Sequence, residues 1–176
     1  MGEVVTCLEM TAFTELVPAC PAPAPQLEVE EVGPAAAPLL RAIYVRIWAP
    51  LASGGRMDWS DEQWADELSR PGVGAWVARV GGDIAGFFDL EAEPNGDVGI
   101  VVFGVVPEFI GSGFGGAFLT RATETAWRLR SQSGGSTKRV WVQASSGDHP
   151  HALLNYERRG FPIFRIERTQ ARHGLG

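Results

Sequence analysis

The spacing of apolar residues changes character along the chain, and each change predicts a different element. Residues 4–10 alternate weakly, as a strand does, and residues 18–25 (Pro-Ala-Cys-Pro-Ala-Pro-Ala-Pro) predict an extended connector, since proline has no amide N–H to give to a helix or sheet. Across residues 26–32, Leu27 and Val29, joined by Glu31, alternate with Glu28, Glu30 and Val32, predicting a strand with one wet face. Pro34 opens a helix to about Trp48, with Leu39, Leu40, Ile43, Tyr44 and Ile47 at helical spacing. After a loop containing Pro50 and Gly54-Gly55, Ser60 and Gln63 form a capping box for a helix over residues 61–69, and Pro71-Gly72 stops it.

The period then becomes two. Residues 73–80 and 84–91 predict a hairpin about Gly81-Gly82, with Ala85, Phe87, Asp89 and Glu91 on one face and Ile84, Gly86, Phe88 and Leu90 on the other. Pro94-Asn95-Gly96 turns the chain into residues 98–105, apolar on both faces as in a buried central strand. A long amphipathic helix follows over residues 113–130, its apolar stripe made by Phe114, Phe118, Ala122, Ala126 and Leu129. Residues 139–144 form another strand. Asp148 or Ser146 caps a last helix with Pro150 in its first turn, Gly160 stops it, and residues 161–166 close the chain as a strand. The fold class is mixed α/β: strand, two helices, a three-strand meander, then α, β, α, β. Residues 1–25 are set apart as an N-terminal strand and connector, leaving 26–176 as the main domain.

Composition narrows the partners. A net charge of −6 and a single lysine, Lys138, oppose nucleic-acid or anionic-membrane binding, which needs clustered positive charge. No apolar run has membrane-spanning length and no basic-then-apolar leader opens the chain, so the expectation is a soluble, cytoplasmic protein. Cys7 and Cys20 lack metal-ligand spacing and are expected as free thiols. No metal site is expected.

Chemistry concentrates at the switch from the central strand to the long helix. Four glycines in six residues (Gly111, Gly113, Gly115 and Gly116) leave backbone N–H groups unshielded at a helix start, the usual cradle for a phosphate or pyrophosphate. Gly111-Ser112-Gly113-Phe114-Gly115-Gly116 also satisfies G-x-G-x-x-G. A nicotinamide or flavin site needs an acidic residue at the end of the next strand, and that strand ends Val142-Gln143-Ala144-Ser145, so a dinucleotide is disfavoured.

The strand, glycine turn and long helix, followed one strand later by Ala152, Tyr156, Gly160 and Phe161 in the order A-x-x-x-Y-x-x-x-G-F, resemble the GNAT superfamily of acetyl-CoA-dependent N-acyltransferases. The resemblance covers residues from about 27 to the last strand. It implies a mostly antiparallel sheet flanked by about four helices and splayed between its fourth and fifth strands, residues 98–105 and 139–144. It further implies that Gly111, Ser112, Gly113, Phe114, Gly115 and Gly116 hold the pyrophosphate of acetyl-CoA. The backbone of Phe103 and Val105 would pair with the pantetheine arm, His149 and Asn155 would touch the cofactor, and Tyr156 would give a proton to the departing thiolate. The implied reaction is direct transfer of an acetyl group to an amine, either a small molecule or a peptide N-terminus.

The sequence departs from the family pattern in places. Ile110 stands where the family keeps Gln or Arg, and Gly99 and Ala144 stand where several members place a glutamate base. Asp89 and Glu91 are substitute bases on strand geometry alone, with water a further choice. Tyr44, Trp48, Arg56, Trp59 and Trp64 fall in the region expected to receive the acceptor. The missing glutamates and Ile110 keep a non-catalytic acyl-CoA-binding domain as the competing reading. A homodimer is compatible with the sequence and not specified by it.

Overall fold

The computed structural model describes residues 2–20, 26–131 and 133–169. Residues 21–25 of the proline-rich connector lie outside this set. Seven strands form one sheet in the order β2-β3-β4-β5-β6-β1-β7. Their ranges are β1 Val4–Met10, β2 Leu27–Val32, β3 Val73–Val80, β4 Asp83–Ala92, β5 Asp97–Val105, β6 Arg139–Ser145 and β7 Ile163–Arg168. Among the described residues the four α-helices are α1 Ala37–Trp48, α2 Asp61–Leu68, α3 Phe114–Arg128 and α4 Ala152–Arg158. All neighbouring strands run antiparallel except β5 and β6.

The sheet is covered on both faces. Against one face α1 and α2 bury Leu40, Ile43, Tyr44, Trp64 and Leu68 with Val77 and Phe87. Against the other, Phe114, Phe118, Ala122 and Ala126 of α3 and Tyr156 of α4 pack on Phe88, Leu90, Ile100 and Val142. Burying both faces is why residues 98–105 read as continuously apolar. The capping box of α2 forms as its sequence predicts: Ser60 Oγ accepts from the Gln63 amide at 3.2 Å, and Gln63 Oε1 accepts from the Ser60 amide at 2.8 Å.

The structure makes one placement that the sequence leaves open and two corrections. The N-terminal strand is an internal member of the sheet, pairing antiparallel with β6 on one side and β7 on the other, with Leu8 and Met10 fully buried. β1 therefore belongs to the same sheet as the strands from Leu27 onward. The second concerns β4, where Ala78 pairs with Gly86 but Arg79 pairs with Ile84. This bulge at Ala85 shifts the alternation by one residue, so Ile84 packs on the α1–α2 side and Ala85 on the α3 side. Thirdly, neither Asp148 nor Ser146 caps α4; its N-cap is His151 with no side-chain cap bond.

Candidate active site

The sheet opens where β5 meets β6. Pairing covers only Asp97–Ile100 against Arg139–Val142. At the same level a bulge interrupts β5: Leu90 pairs with Ile100 and Asp89 with Val102, leaving Val101 without a β4 partner. A bulge bends the strand that carries it and ends pairing. From Val102 to Val105, β5 is paired only with β4, and its other edge lines a cavity of about 730 Å³.

The cavity gathers residues distant in sequence. Phe103, Val105, Gly111, Gly115, Gly116, His149, Asn155 and Tyr156 all line it. Ser112, Gly113 and Phe114 do not line it: Gly113 is the N-cap of α3 at φ 87°, a left-handed conformation natural to glycine, and Phe114 is buried in the core. Ser112 Oγ donates to the Phe109 carbonyl and holds the turn. Asn155 Nδ2 donates to the Gly115 carbonyl at 3.2 Å and ties α4 to the glycine turn. His149 and His151 are neighbours in the wall, with ring centroids 5.2 Å apart.

Tyr156 lies in the wall where β5, β6 and α4 converge, 4% exposed, with the Phe103 and Phe161 rings edge-on at 6.4 and 6.5 Å. Its hydroxyl has no hydrogen bond to the described residues. Burial pushes the phenol well above its usual range, and the Asp148 carboxylate adds to the effect. A phenol is protonated at neutral pH, and burial keeps this one so.

Asp89 and Glu91 are placed elsewhere, outside the cavity wall. Asp89 is 2% exposed and accepts from Arg56 Nη1 at 2.8 Å. Arg56 in turn lies 3.8 Å from Glu67 and over the Trp59 and Trp64 rings at 4.6 and 5.1 Å. Burial raises the Asp89 pKa to about 6 despite the pull of Arg56. Glu91 pairs with Arg70, which follows the C-terminal end of α2 and also pairs with Glu67 at 2.7 Å.

Two charged residues of the wall, Asp148 and Arg159, are not among the site residues that the sequence predicts. Asp148 Oδ2 accepts from the Ser145 amide at 2.7 Å, and its Oδ1 accepts from Trp48 Nε1 at 3.5 Å. Arg159, at the C-cap of α4, reaches the glycine turn, where a Cβ added at Gly116 would lie 3.0 Å from its Nη1. Its Nε is buried without a hydrogen-bond partner among the described residues. Arg159 thus places a guanidinium at the glycine turn, where Ile110 carries no charge. A basic pair, Arg158-Arg159, is visible in the sequence; its reach to Gly116 is not.

The model of the acetyltransferase (GNAT) family matches residues 40–161. The chain belongs to that family. The match runs from α1 through Phe161 and takes in the glycine turn, the open β5 edge and Tyr156, the features that build the cavity. Solved structures agree on the GNAT fold. A GCN5-related N-acetyltransferase from Sphaerobacter thermophilus is similar at 18% identity and TM-score 0.65, covering 95% of this chain and 50% of that one. One from Kribbella flavida is similar at 16% identity and TM-score 0.63, covering 92% and 56%. An aminoglycoside acetyltransferase from an uncultured soil metagenomic sample is similar at 16% identity and TM-score 0.57, covering 85% and 97%. The chain thus spans about half the length of the first two. No curated protein sequence matches it. Among the described residues no helix is long and apolar enough to cross a membrane.

Proposed function

We infer that this GNAT-family chain is an N-acyltransferase that moves an acetyl group from acetyl-CoA to an amine by direct transfer. The observation that carries this reading is the open edge of β5, set between a glycine cradle at one end and a buried, protonated tyrosine beside it. An extended amide-bearing arm fits an unpaired strand edge as an added strand, through main-chain hydrogen bonds. The amides near Gly111, Gly115 and Gly116, with the Arg159 guanidinium, suit a pyrophosphate. Acetyl-CoA supplies an activated thioester. The chain supplies position, a dry wall and a proton: Tyr156 is neutral at working pH and stands ready to protonate a departing thiolate.

A second reading, a non-catalytic acyl-CoA-binding domain, is favoured by the engagement of Asp89 and Glu91 in ion pairs away from the cavity. Thermal melts with acetyl-CoA, free CoA and NADH test the ligand. At a hundredfold excess over its dissociation constant a ligand adds about 2.7 kcal/mol, on the order of 5–10 °C for a domain of this size. A shift with NADH alone overturns the acyltransferase reading. Release of CoA thiol across a panel of amines separates the enzyme from the binder.

A further inference from the structure

The sheet ends at β7, far from the helices that cover its middle. All six residues from Ile163 to Arg168 are exposed, and among the described residues no strand pairs with the outer edge of β7. Ile166 is 57% exposed, the most of any large apolar side chain among the described residues, and Ile163 and Phe164 are exposed beside it. The ladder with β1 fixes how the free edge is oriented. Val5 pairs with Glu167 and Cys7 with Arg165, and the Thr169 amide donates to the Glu3 carbonyl at 2.9 Å. Along an antiparallel strand, successive residues turn their main-chain groups to opposite sides. Residues 165, 167 and 169 therefore face β1, and Ile166 and Arg168 turn N–H and C=O outward. Side chains alternate as well: Arg165 and Glu167 share one face, ion-paired at 2.8 Å, and Ile166 lies on the other.

We propose that β7 is a self-pairing edge, which joins two copies of this chain antiparallel about a twofold axis at Ile166. An exposed edge strand with apolar side chains is a template for another strand. A twofold pairing sets the strand against itself, so only registers that oppose residues of like orientation are open. The bulge that leaves Phe164 without a β1 partner limits the regular stretch to residues 165–168. Centred on Arg165 or Arg168, the pairing sets arginine against arginine; centred on Glu167, it sets glutamate against glutamate. Centred on Ile166, it sets Arg165 of each copy against Glu167 of the other on one face. On the opposite face Ile166 meets Ile166, and these two residues exchange both main-chain hydrogen bonds. The Arg165–Glu167 positions are then the non-hydrogen-bonded pairs, where side chains approach most closely. Unlike charges directly across a ladder stabilise it, and like charges oppose it. The charges of this edge thus exclude the neighbouring registers and admit one. The product is a single sheet running through both copies. No residue of β7 lines the cavity, so the proposal stands apart from the acetyl-transfer reading.

Sedimentation velocity of the full chain over a range of concentrations tests the pairing, with far-UV circular dichroism to check folding. The unaltered chain is expected to sediment as a dimer. Arg165→Glu and Glu167→Arg each set like charges across the axis, at two symmetric places, and are expected to weaken the dimer about 10-fold or more. Combining the two substitutions in one chain restores the dimer. Mixed in equal amounts at a concentration where each alone is monomeric, the two single variants pair with each other. One then carries only acids at these positions and the other only arginines. Both single variants lose the ion pair within the strand, so that loss cannot explain recovery on mixing. Where a single variant misfolds, the doubly substituted chain and Ile166→Lys decide: the first keeps the dimer, and the second, with a charge at the axis, loses it. A monomer at every concentration overturns the proposal. So does a dimer that either single variant keeps at full strength, or failure of the mixed variants to pair.

Discussion

Two regions of this molecule bury an acidic proton, and they do so to different ends. Beneath α1 and α2, Asp89 faces the Arg56 guanidinium; beside β5 and β6, Tyr156 faces a cavity. Desolvation is the leading cause of the raised pKa in both. What differs is what each group meets. Asp89 is answered by a cation stacked between tryptophans, so its charge is spent on holding the α1–α2 loop to the sheet. Tyr156 is answered by a cavity whose wall includes Gly111, Gly115, Gly116 and the edge of β5. A shifted pKa therefore marks burial, and only access to a cavity turns burial into chemistry.

The largest effect is expected from breaking the first region. Arg56→Ala leaves a buried carboxylate unpaired and is expected to cost about 3–5 kcal/mol at pH 7 in chemical denaturation. The loss shrinks at pH 5, where Asp89 is protonated. A uniform loss at both pH values would separate the effect from Asp89.

Next in size is the pH dependence of the intact pair. The folded pKa of Asp89, about 6, exceeds the ordinary 3.8, so between these values the folded state holds more protons than the unfolded state. The contribution of Asp89 to stability is then greatest below about pH 4 and falls as pH rises to 6, by about 3 kcal/mol. Asp89→Asn removes this slope; stability-pH curves of the two proteins that stay parallel contradict it.

In the second region, Tyr156→Phe is expected to lower kcat at least ~10-fold, with acetyl-CoA affinity retained. Because the hydroxyl is not hydrogen-bonded to the described residues, stability changes by less than about 1 kcal/mol. Unchanged turnover would reduce Tyr156 to a packing residue. The smallest effect is on the cradle: Arg159→Met is expected to weaken acetyl-CoA binding about 10-fold by calorimetry, without lowering the melting temperature of the free chain. Unaltered affinity would leave the backbone amides as the whole cradle.

The legible parts of the site were those written in neighbouring residues. The glycine turn, the Ser60–Gln63 cap and the Ala152–Phe161 signature each act within a few positions, where spacing fixes geometry. Asp89 and Glu91 sit at the right strand positions for a base, yet their partners Arg56 and Arg70 come from a loop and a helix end that no local pattern ties to β4. Asp148 was visible only as a helix cap, because one of its partners, Trp48 Nε1, lies on α1, a hundred residues away.

By itself the sequence determined the elements, their two periods, the glycine turn and the family, since these rest on local propensity, side-chain alternation and short-range spacing. Tertiary structure alone decided that β1 lies between β6 and β7, that β5 bulges at Val101 and parts from β6, and which carboxylate faces the cavity. Strand order, bulges and charge pairs are settled by contacts between residues remote in the chain. Their free energies depend on burial and partner, which a linear pattern does not carry.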